Sequence, residues 1–198
     1  MQGFSGDLDT ENQPPLAIPF AHFVVGVAVL LVGGAIAGLG SFVPGVTPAG
    51  AGSLHLLLAG WISLTIMGAM TQFVPVWSGT ALYSRRISVV SLWLVTVGVT
   101  GLVVGFFYSH AWLPVGGGVV LVGFWLFAYN VARTLPTSGL DITEAHFAFA
   151  LASLLAATVL GWLLAADVAC RLLGGLLEPP GLVLAHLTLT VFGFVFAT

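Results

Sequence analysis

Four histidines lie about one turn inside segments that otherwise consist almost entirely of apolar residues. They are His22, His55, His146 and His186. An ionisable side chain in a hydrocarbon-facing segment is costly, so each of them is a candidate functional residue. Neutral imidazole is also a common ligand for transition metals and for haem iron. The pattern therefore predicts either metal or haem ligation, or hydrogen bonds between helices.

The elements that carry these histidines are six apolar segments, each close to the ~20 residues that a helix needs to cross a bilayer. They cover residues 17–40, 52–77, 87–108, 112–132, 144–167 and 181–198. Helices and closed barrels satisfy their backbone groups in lipid, and these segments lack the alternation of barrel strands. The predicted fold is all-α: a polytopic transmembrane helical bundle of about six helices, surrounded by lipid in the cell membrane.

The composition favours a membrane protein and argues against other classes. The 198 residues are 59% hydrophobic and only 6% charged, whereas soluble domains carry roughly 25% charged residues. With four basic residues in all, nucleic-acid binding is not expected. The single cysteine, Cys170, rules out a disulfide framework and a cysteine-based metal site.

The chain divides into a short tail and one long domain. Residues 1–16 are polar and have no basic region, so they are predicted to be a disordered tail and not a signal peptide. Residues 17–198 are predicted to be a single transmembrane domain. Its last apolar segment runs to Thr198 without a polar tail, a pattern that fits the front part of a longer protein and a complete chain equally well.

The arginines predict an orientation. Arg85 and Arg86 follow segment two and Arg133 follows segment four, whereas Arg171 lies on the opposite side. Positive residues concentrate on the cytoplasmic side, so the N-terminus is predicted to be cytoplasmic.

That topology arranges the four histidines in two tiers. His55 and His186 lie near the outer ends of segments two and six, and His22 and His146 lie near the inner ends of segments one and five. A bis-histidine haem needs two imidazoles that face one another across a gap. The sequence therefore predicts an outer ligand pair and, as a second candidate, an inner pair.

Small residues follow three of the histidines at the spacing of one helix face. The stripes are Thr190, Gly193 and Ala197 after His186, Ala150, Ser153 and Ala157 after His146, and Gly26, Val29 and Gly33 after His22. A flat stripe has room for a planar macrocycle, which makes Thr190 and Gly193 candidate cofactor contacts. The same stripes also pack transmembrane helices closely without any cofactor, so both interpretations stay open.

A second polar stripe lies on segment two. Trp61, Thr65, Gly68 and Gln72 recur at helical spacing, about a quarter-turn from the His55 face. A buried amide must find hydrogen-bond partners, so this stripe is predicted to face the bundle. Gln72 is a candidate for contact with a cofactor edge or for an inter-helix hydrogen bond.

A family resemblance rests on residues 54–77, whose sequence is LHLLLAGWISLTIMGAMTQFVPVW. This segment resembles the second helix of membrane proteins related to haem–copper oxidase subunit I, including the NnrS-type proteins. The pattern that they share is a histidine, a Gly-aromatic pair five residues later, then Gly, Gln and Pro. Here these residues are His55, Gly60-Trp61, Gly68, Gln72 and Pro75. Segment six resembles a diverged second copy when Gly193-Phe194 is aligned with Gly60-Trp61.

The resemblance implies a haem, expected to be of b type, with a role in electron transfer or in handling a diatomic gas such as nitric oxide or oxygen. It also implies a redox partner or other oxidase-like subunits. The chain lacks an adjacent His-His pair and a crosslinkable His-Tyr pair, so its residues support neither copper nor oxygen reduction, and no catalytic residue is predicted.

Two other classes remain open. A transporter would line a polar path at mid-membrane, and the Gly116-Gly117-Gly118 run is the one candidate for a broken helix. A non-catalytic assembly subunit would use its histidines for hydrogen bonds alone.

Overall fold

The structure is a computed structural model that describes residues 13–40, 50–135, 141–174 and 179–198. This part of the chain is helical and contains no strand. The helices are α1 (Ala17–Gly40), α2 (Ala51–Ser78), α3 (Arg85–Phe107), α4 (Leu113–Ala132), α5 (Ile142–Cys170) and α6, which runs from Pro179–Thr188 directly into Leu189–Val195. The predicted all-α bundle is confirmed, with helix ends close to the predicted ones. Most of the predicted tail, residues 1–12, lies outside the described residues.

Five of these helices, α1 to α5, are long and apolar enough to cross a membrane, and α6 is a shorter apolar helix. Large apolar side chains also cover the outside of the bundle, among them Leu31, Val24 and Phe73, each about two-thirds exposed. A surface of this kind is stable in lipid and not in water. The chain is therefore a multi-pass membrane protein.

Successive helices pack against one another, and the most extensive contact is between α3 and α4. A Cβ atom at Gly98 would lie 2.5 Å from the backbone nitrogen of Val120, and one at Gly116 would lie 2.5 Å from the backbone nitrogen of Leu102. Only glycine permits two helix backbones to approach this closely. The run that contains Gly116 lies inside the unbroken helix α4, so close packing accounts for it without a broken transporter helix.

Polar contacts hold the helix ends together at the side of the bundle where α2 ends and α5 begins. The Asn130 side chain accepts from the backbone N–H of Ser84 at 2.9 Å and donates to the Ser84 carbonyl and the Ser88 hydroxyl at 3.0 and 2.8 Å. These contacts join the end of α4 to the start of α3.

The N-terminus of α5 is closed by a reciprocal cap. The Asp141 carboxylate accepts from the Glu144 backbone N–H at 2.7 Å, and the Glu144 carboxylate accepts from the Asp141 N–H at 3.0 Å. The Trp77 indole, near the end of α2, also donates to Asp141 at 3.1 Å. Helix α2 itself continues three residues beyond Pro75, to Ser78, and is followed by its C-cap residue Gly79, whose φ is 60°.

Candidate functional site

The imidazole rings of His55 and His186 meet at the other end of the bundle. Their centroids lie 6.5 Å apart and their planes are inclined by 15°. Both residues are half-buried. Helix α2 packs on α1 and α3, and α6 packs on α5, so the two rings extend toward each other from separately packed helix pairs. The structure thus brings together the two residues predicted as the outer pair.

Backbone carbonyls fix the orientation of both rings. Nδ1 of His55 lies 2.7 Å from the Ala51 carbonyl oxygen, and Nδ1 of His186 lies 2.8 Å from the Ala157 carbonyl oxygen. A carbonyl oxygen only accepts, so each Nδ1 carries the proton and donates. Each Nε2 then keeps its lone pair. This is the arrangement in which histidines bind metals in proteins, because the second-shell hydrogen bond fixes the tautomer and the ring.

Two further residues define the surroundings of the pair. The Phe106 ring, on α3, lies 5.1 Å from the His55 ring. Gly161, on α5, lies directly beneath His186: a Cβ atom there would be 2.9 Å from Cε1 and 3.2 Å from Nδ1 of that imidazole. Neither residue was among the predicted site residues. Gly161 lies four residues after Ala157, and that spacing becomes meaningful only once the carbonyl contact is known.

No protein-family model, curated protein or solved structure matches this chain.

The donor set restricts the kind of metal group that the pair can hold. Among the described residues, no three histidine, cysteine, aspartate or glutamate side chains cluster closely enough to hold an ion. A structural zinc site needs four protein ligands. Two imidazoles are instead the axial set of a haem, whose macrocycle supplies the other donors. The His55–His186 pair therefore fits haem iron better than a bare ion.

Both histidine-bearing helices at this end contain a π-helical segment at the aligned position. The segments are Leu56–Ile62 in α2 and Leu189–Val195 in α6. Gly60 and Gly193 occupy the same place in these seven-residue segments. Such segments are rare and often lie at functional sites. The structure thus places the same helix distortion next to His55 and next to His186.

The helices that pack on these two π-helical segments, α1 and α5, also occupy equivalent positions and align in sequence. Gly60 faces Val29 of α1, and Gly193 faces Ser153 of α5, where added Cβ atoms would lie 2.5 and 2.6 Å from those side chains. Aligning His22 with His146 aligns Val29 with Ser153. The same alignment gives identical residues at Ile18 and Ile142, Ala21 and Ala145, Phe23 and Phe147, Ala28 and Ala152, Leu30 and Leu154, and Leu31 and Leu155. The helix pairs α1–α2 and α5–α6 are therefore two copies of one packing motif.

The structure does not bring His22 and His146, the predicted inner pair, together. His22 is fully buried between α1 and α2, whereas His146 is exposed on α5. Each Nδ1 donates to the carbonyl four residues earlier, that of Ile18 at 2.9 Å and that of Ile142 at 2.7 Å. The two residues share a position in the repeat, but the His22 ring is buried against α2 and the His146 ring is exposed, so they do not form a facing pair.

The small-residue stripes serve helix packing. A Cβ atom at Gly26 would lie 3.3 Å from the Trp61 carbonyl oxygen, and one at Gly33 would lie 3.3 Å from Cβ of Leu56. The stripe below His22 is thus covered by α2 and leaves no slot there for a planar macrocycle. Gly193 packs on Ser153 in the same way.

The two remaining predicted contacts, Thr190 and Gln72, lie at different levels of the bundle. The Thr190 hydroxyl donates to the His186 carbonyl at 2.8 Å within its own helix. Gln72 lies at the opposite end of α2 from His55, on the stripe that includes Gly68. A Cβ atom at Gly68 would lie 2.9 Å from Cβ of His22. The predicted inward-facing stripe of α2 therefore faces α1.

Proposed function

We propose that this chain is a haem-binding integral membrane protein in which His55 and His186 would hold the iron of one haem between α2 and α6. The single Cys170 offers no pair of thiols for covalent attachment, so a non-covalently bound haem is expected, with the b type as the form that the family resemblance implies. Its role would be electron transfer or the handling of a diatomic gas such as nitric oxide or oxygen. A bound haem would supply redox chemistry, and a gas could bind its iron only by displacing one of the two histidines. The chain would supply ligand identity and an apolar environment.

The observation that carries the proposal is the geometry of the pair. Because a metal–imidazole bond is about 2 Å long, two rings can share one metal group only when they lie close together. The observed centroid distance is 6.5 Å, both Nδ1 atoms donate to carbonyls, and both Nε2 atoms keep a lone pair. The resemblance of residues 54–77 to haem-binding membrane proteins supports the same function from the sequence side.

The test is a reduced-minus-oxidised absorbance spectrum of protein purified in detergent from haem-supplied cells, with the haem quantified per chain. The expected result is sharp α-bands from about one haem per chain, lost in His55→Ala and in His186→Ala. His146→Ala and His110→Ala are the matched controls, because both residues are exposed and neither ring belongs to the pair. These two variants should keep the spectrum.

Two results would overturn the proposal. One is folded protein that binds no haem, and the other is haem that both His55→Ala and His186→Ala retain. Full tolerance of both substitutions would instead favour a subunit whose histidines only form hydrogen bonds. That function would be consistent with the carbonyl contact made by every one of the four helix histidines.

A further inference from the structure

Three buried polar atoms lie in the interface of α1 and α2, at the end of the bundle away from the imidazole pair. They are Nε2 of His22 and both side-chain amide atoms of Gln72, and none has a hydrogen-bond partner among the described residues. His22 is fully buried. A polar atom without a partner in an apolar interior costs free energy, so native structures satisfy such atoms with protein groups or ordered water.

The packing of the two helices directs these side chains toward one another. Gly60 meets Val29 and Gly68 meets His22, so α1 and α2 run antiparallel. Gln72 lies one turn beyond Gly68 on the same face of α2. Helical side chains lean toward the N-terminus of their own helix. The His22 side chain therefore leans toward the level of Gln72, and the Gln72 side chain leans back toward the level of His22.

Glycine at position 68 makes this arrangement possible. A Cβ atom there would lie 2.9 Å from Cβ of His22 and 3.1 Å from the Pro19 carbonyl oxygen. The two helix backbones are therefore in contact beside the polar atoms and shield them from lipid. His22 and Gln72 are thus buried polar side chains beside a tightly packed part of the α1–α2 interface.

The hydrogen-bond chemistry of the site restricts what it can bind. His22 donates from Nδ1 to the Ile18 carbonyl, so its Nε2 only accepts. Gln72 offers one acceptor and one donor group. One imidazole and one amide are too few ligands for a metal ion. Water, in contrast, can donate to the imidazole while it bonds to the amide, and buried waters typically have two to four polar partners.

We propose that His22 and Gln72 bind a buried water molecule between α1 and α2, which donates a hydrogen bond to Nε2 of His22 and bonds to the Gln72 amide. The site is independent of the proposed haem ligands, which lie at the other end of α2. The repeat supplies an internal comparison, because His146 holds the equivalent position and the same Nδ1 contact but is exposed.

Solid-state NMR of the histidine-15N-labelled chain in lipid bilayers tests the proposal directly. In a sample that also carries labelled isoleucine, phenylalanine and glycine, the His22 signals can be assigned through contacts to Ile18 and Phe23 together with the contact to Gly68, which separates His22 from His146 with its identical Ile142 and Phe147 neighbours. The measurement therefore needs no variant. We expect Nε2 of His22 to be unprotonated and to receive polarisation from water protons that exchange slowly with bulk. Polarisation from the Gln72 amide protons instead would show a direct bond and overturn the proposal, as would the absence of any donor proton near Nε2.

Thermal unfolding supplies an independent test. Gln72→Leu and His22→Phe should each lower Tm by several degrees, because each leaves the other side chain and the water incompletely bonded. The Tm loss of the double variant should be at most half of the sum of the two single-variant losses, because the double variant removes both polar groups. Strictly additive losses would contradict a shared site. His146→Phe is the matched control and should leave Tm unchanged.

Discussion

The His55 and His186 imidazoles lie 6.5 Å apart, centroid to centroid, although they come from helices near opposite ends of the chain. The two rings are oriented in different ways. The Ala51 carbonyl orients His55 from within α2, whereas the Ala157 carbonyl orients His186 from the neighbouring helix α5. The geometry of the pair therefore depends on the packing of α5 with α6 as well as on α2.

Gly161→Ala is expected to displace the His186 ring. The added methyl group would lie 2.9 Å from Cε1 and 3.2 Å from Nδ1, so the imidazole must move and its hydrogen bond to the Ala157 carbonyl must weaken. Overpacking of this kind typically destabilises by about 1 to 3 kcal/mol. The His186 Nδ1 proton resonance reports the change with or without haem, and it should move upfield.

Gly181→Ala is the control for this prediction, because a Cβ atom at Gly181, on the same helix as His186, would have no neighbour within 4 Å. It should leave the resonance in place. An unchanged resonance in Gly161→Ala would show that Gly161 does not position the ring.

Gly116→Ala is expected to separate α3 from α4. The new Cβ atom would lie 2.5 Å from the Leu102 backbone nitrogen, and a backbone atom in a packed helix cannot move aside cheaply. We expect a loss of about 1 to 3 kcal/mol in the free energy of unfolding, measured by thermal or denaturant unfolding in detergent. Gly118→Ala, two residues away, meets only the Trp162 side chain at 3.5 Å. It should be neutral or stabilising by up to about 1 kcal/mol, and equal losses in the two variants would contradict the packing argument.

Asn130→Leu is expected to disconnect α4 from the start of α3. The substitution removes three hydrogen bonds and leaves the Ser84 backbone N–H and the buried Ser88 hydroxyl without that partner. The expected cost is about 2 to 4 kcal/mol of unfolding free energy. Tyr129→Phe, at the neighbouring exposed position, removes only a 3.5 Å contact with the Tyr83 hydroxyl. It should change stability by less than about 0.5 kcal/mol, and a comparable loss would argue against the Asn130 network.

Stability should depend on pH through Asp141, which precedes α5. The hydrogen bond from the Glu144 backbone N–H holds the pKa of the Asp141 carboxyl below its ordinary value of 3.8, with a smaller contribution from the Trp77 indole. Because the folded-state pKa is the lower one, the stabilisation is fully present above the unfolded-state value. It is lost as the pH falls through the lowered folded-state value.

Asp141→Asn tests this dependence, since asparagine also caps helices but does not titrate. The difference in Tm between the wild-type chain and this variant should be constant near neutral pH. Below about pH 4, the Tm of the wild-type chain should fall relative to that of the variant. A difference that stays constant down to pH 3 would contradict the role assigned to the carboxylate.

Much of the fold follows from local properties of the sequence. The apolar segments predicted the helices, since segment length and hydropathy suffice when every backbone group must be bonded within its own helix. The inward-facing stripe of α2 could be predicted from Gln72 because a buried amide needs partners. The repeated pattern Ile-x-x-Ala-His-Phe, at residues 18–23 and 142–147, was also present in the sequence and could have predicted that α1 and α5 correspond.

The sequence alone thus determined an all-helical membrane bundle and the histidines worth testing. Only the tertiary structure decided that His55 faces His186 while His22 and His146 lie apart, and that the glycines below His22 pack on α2. The physical reason is that a helix face is fixed by its own sequence, whereas the partner of that face depends on how the described helices pack together. Small-residue stripes suit a cofactor and a neighbouring helix equally well, so spacing could not distinguish them.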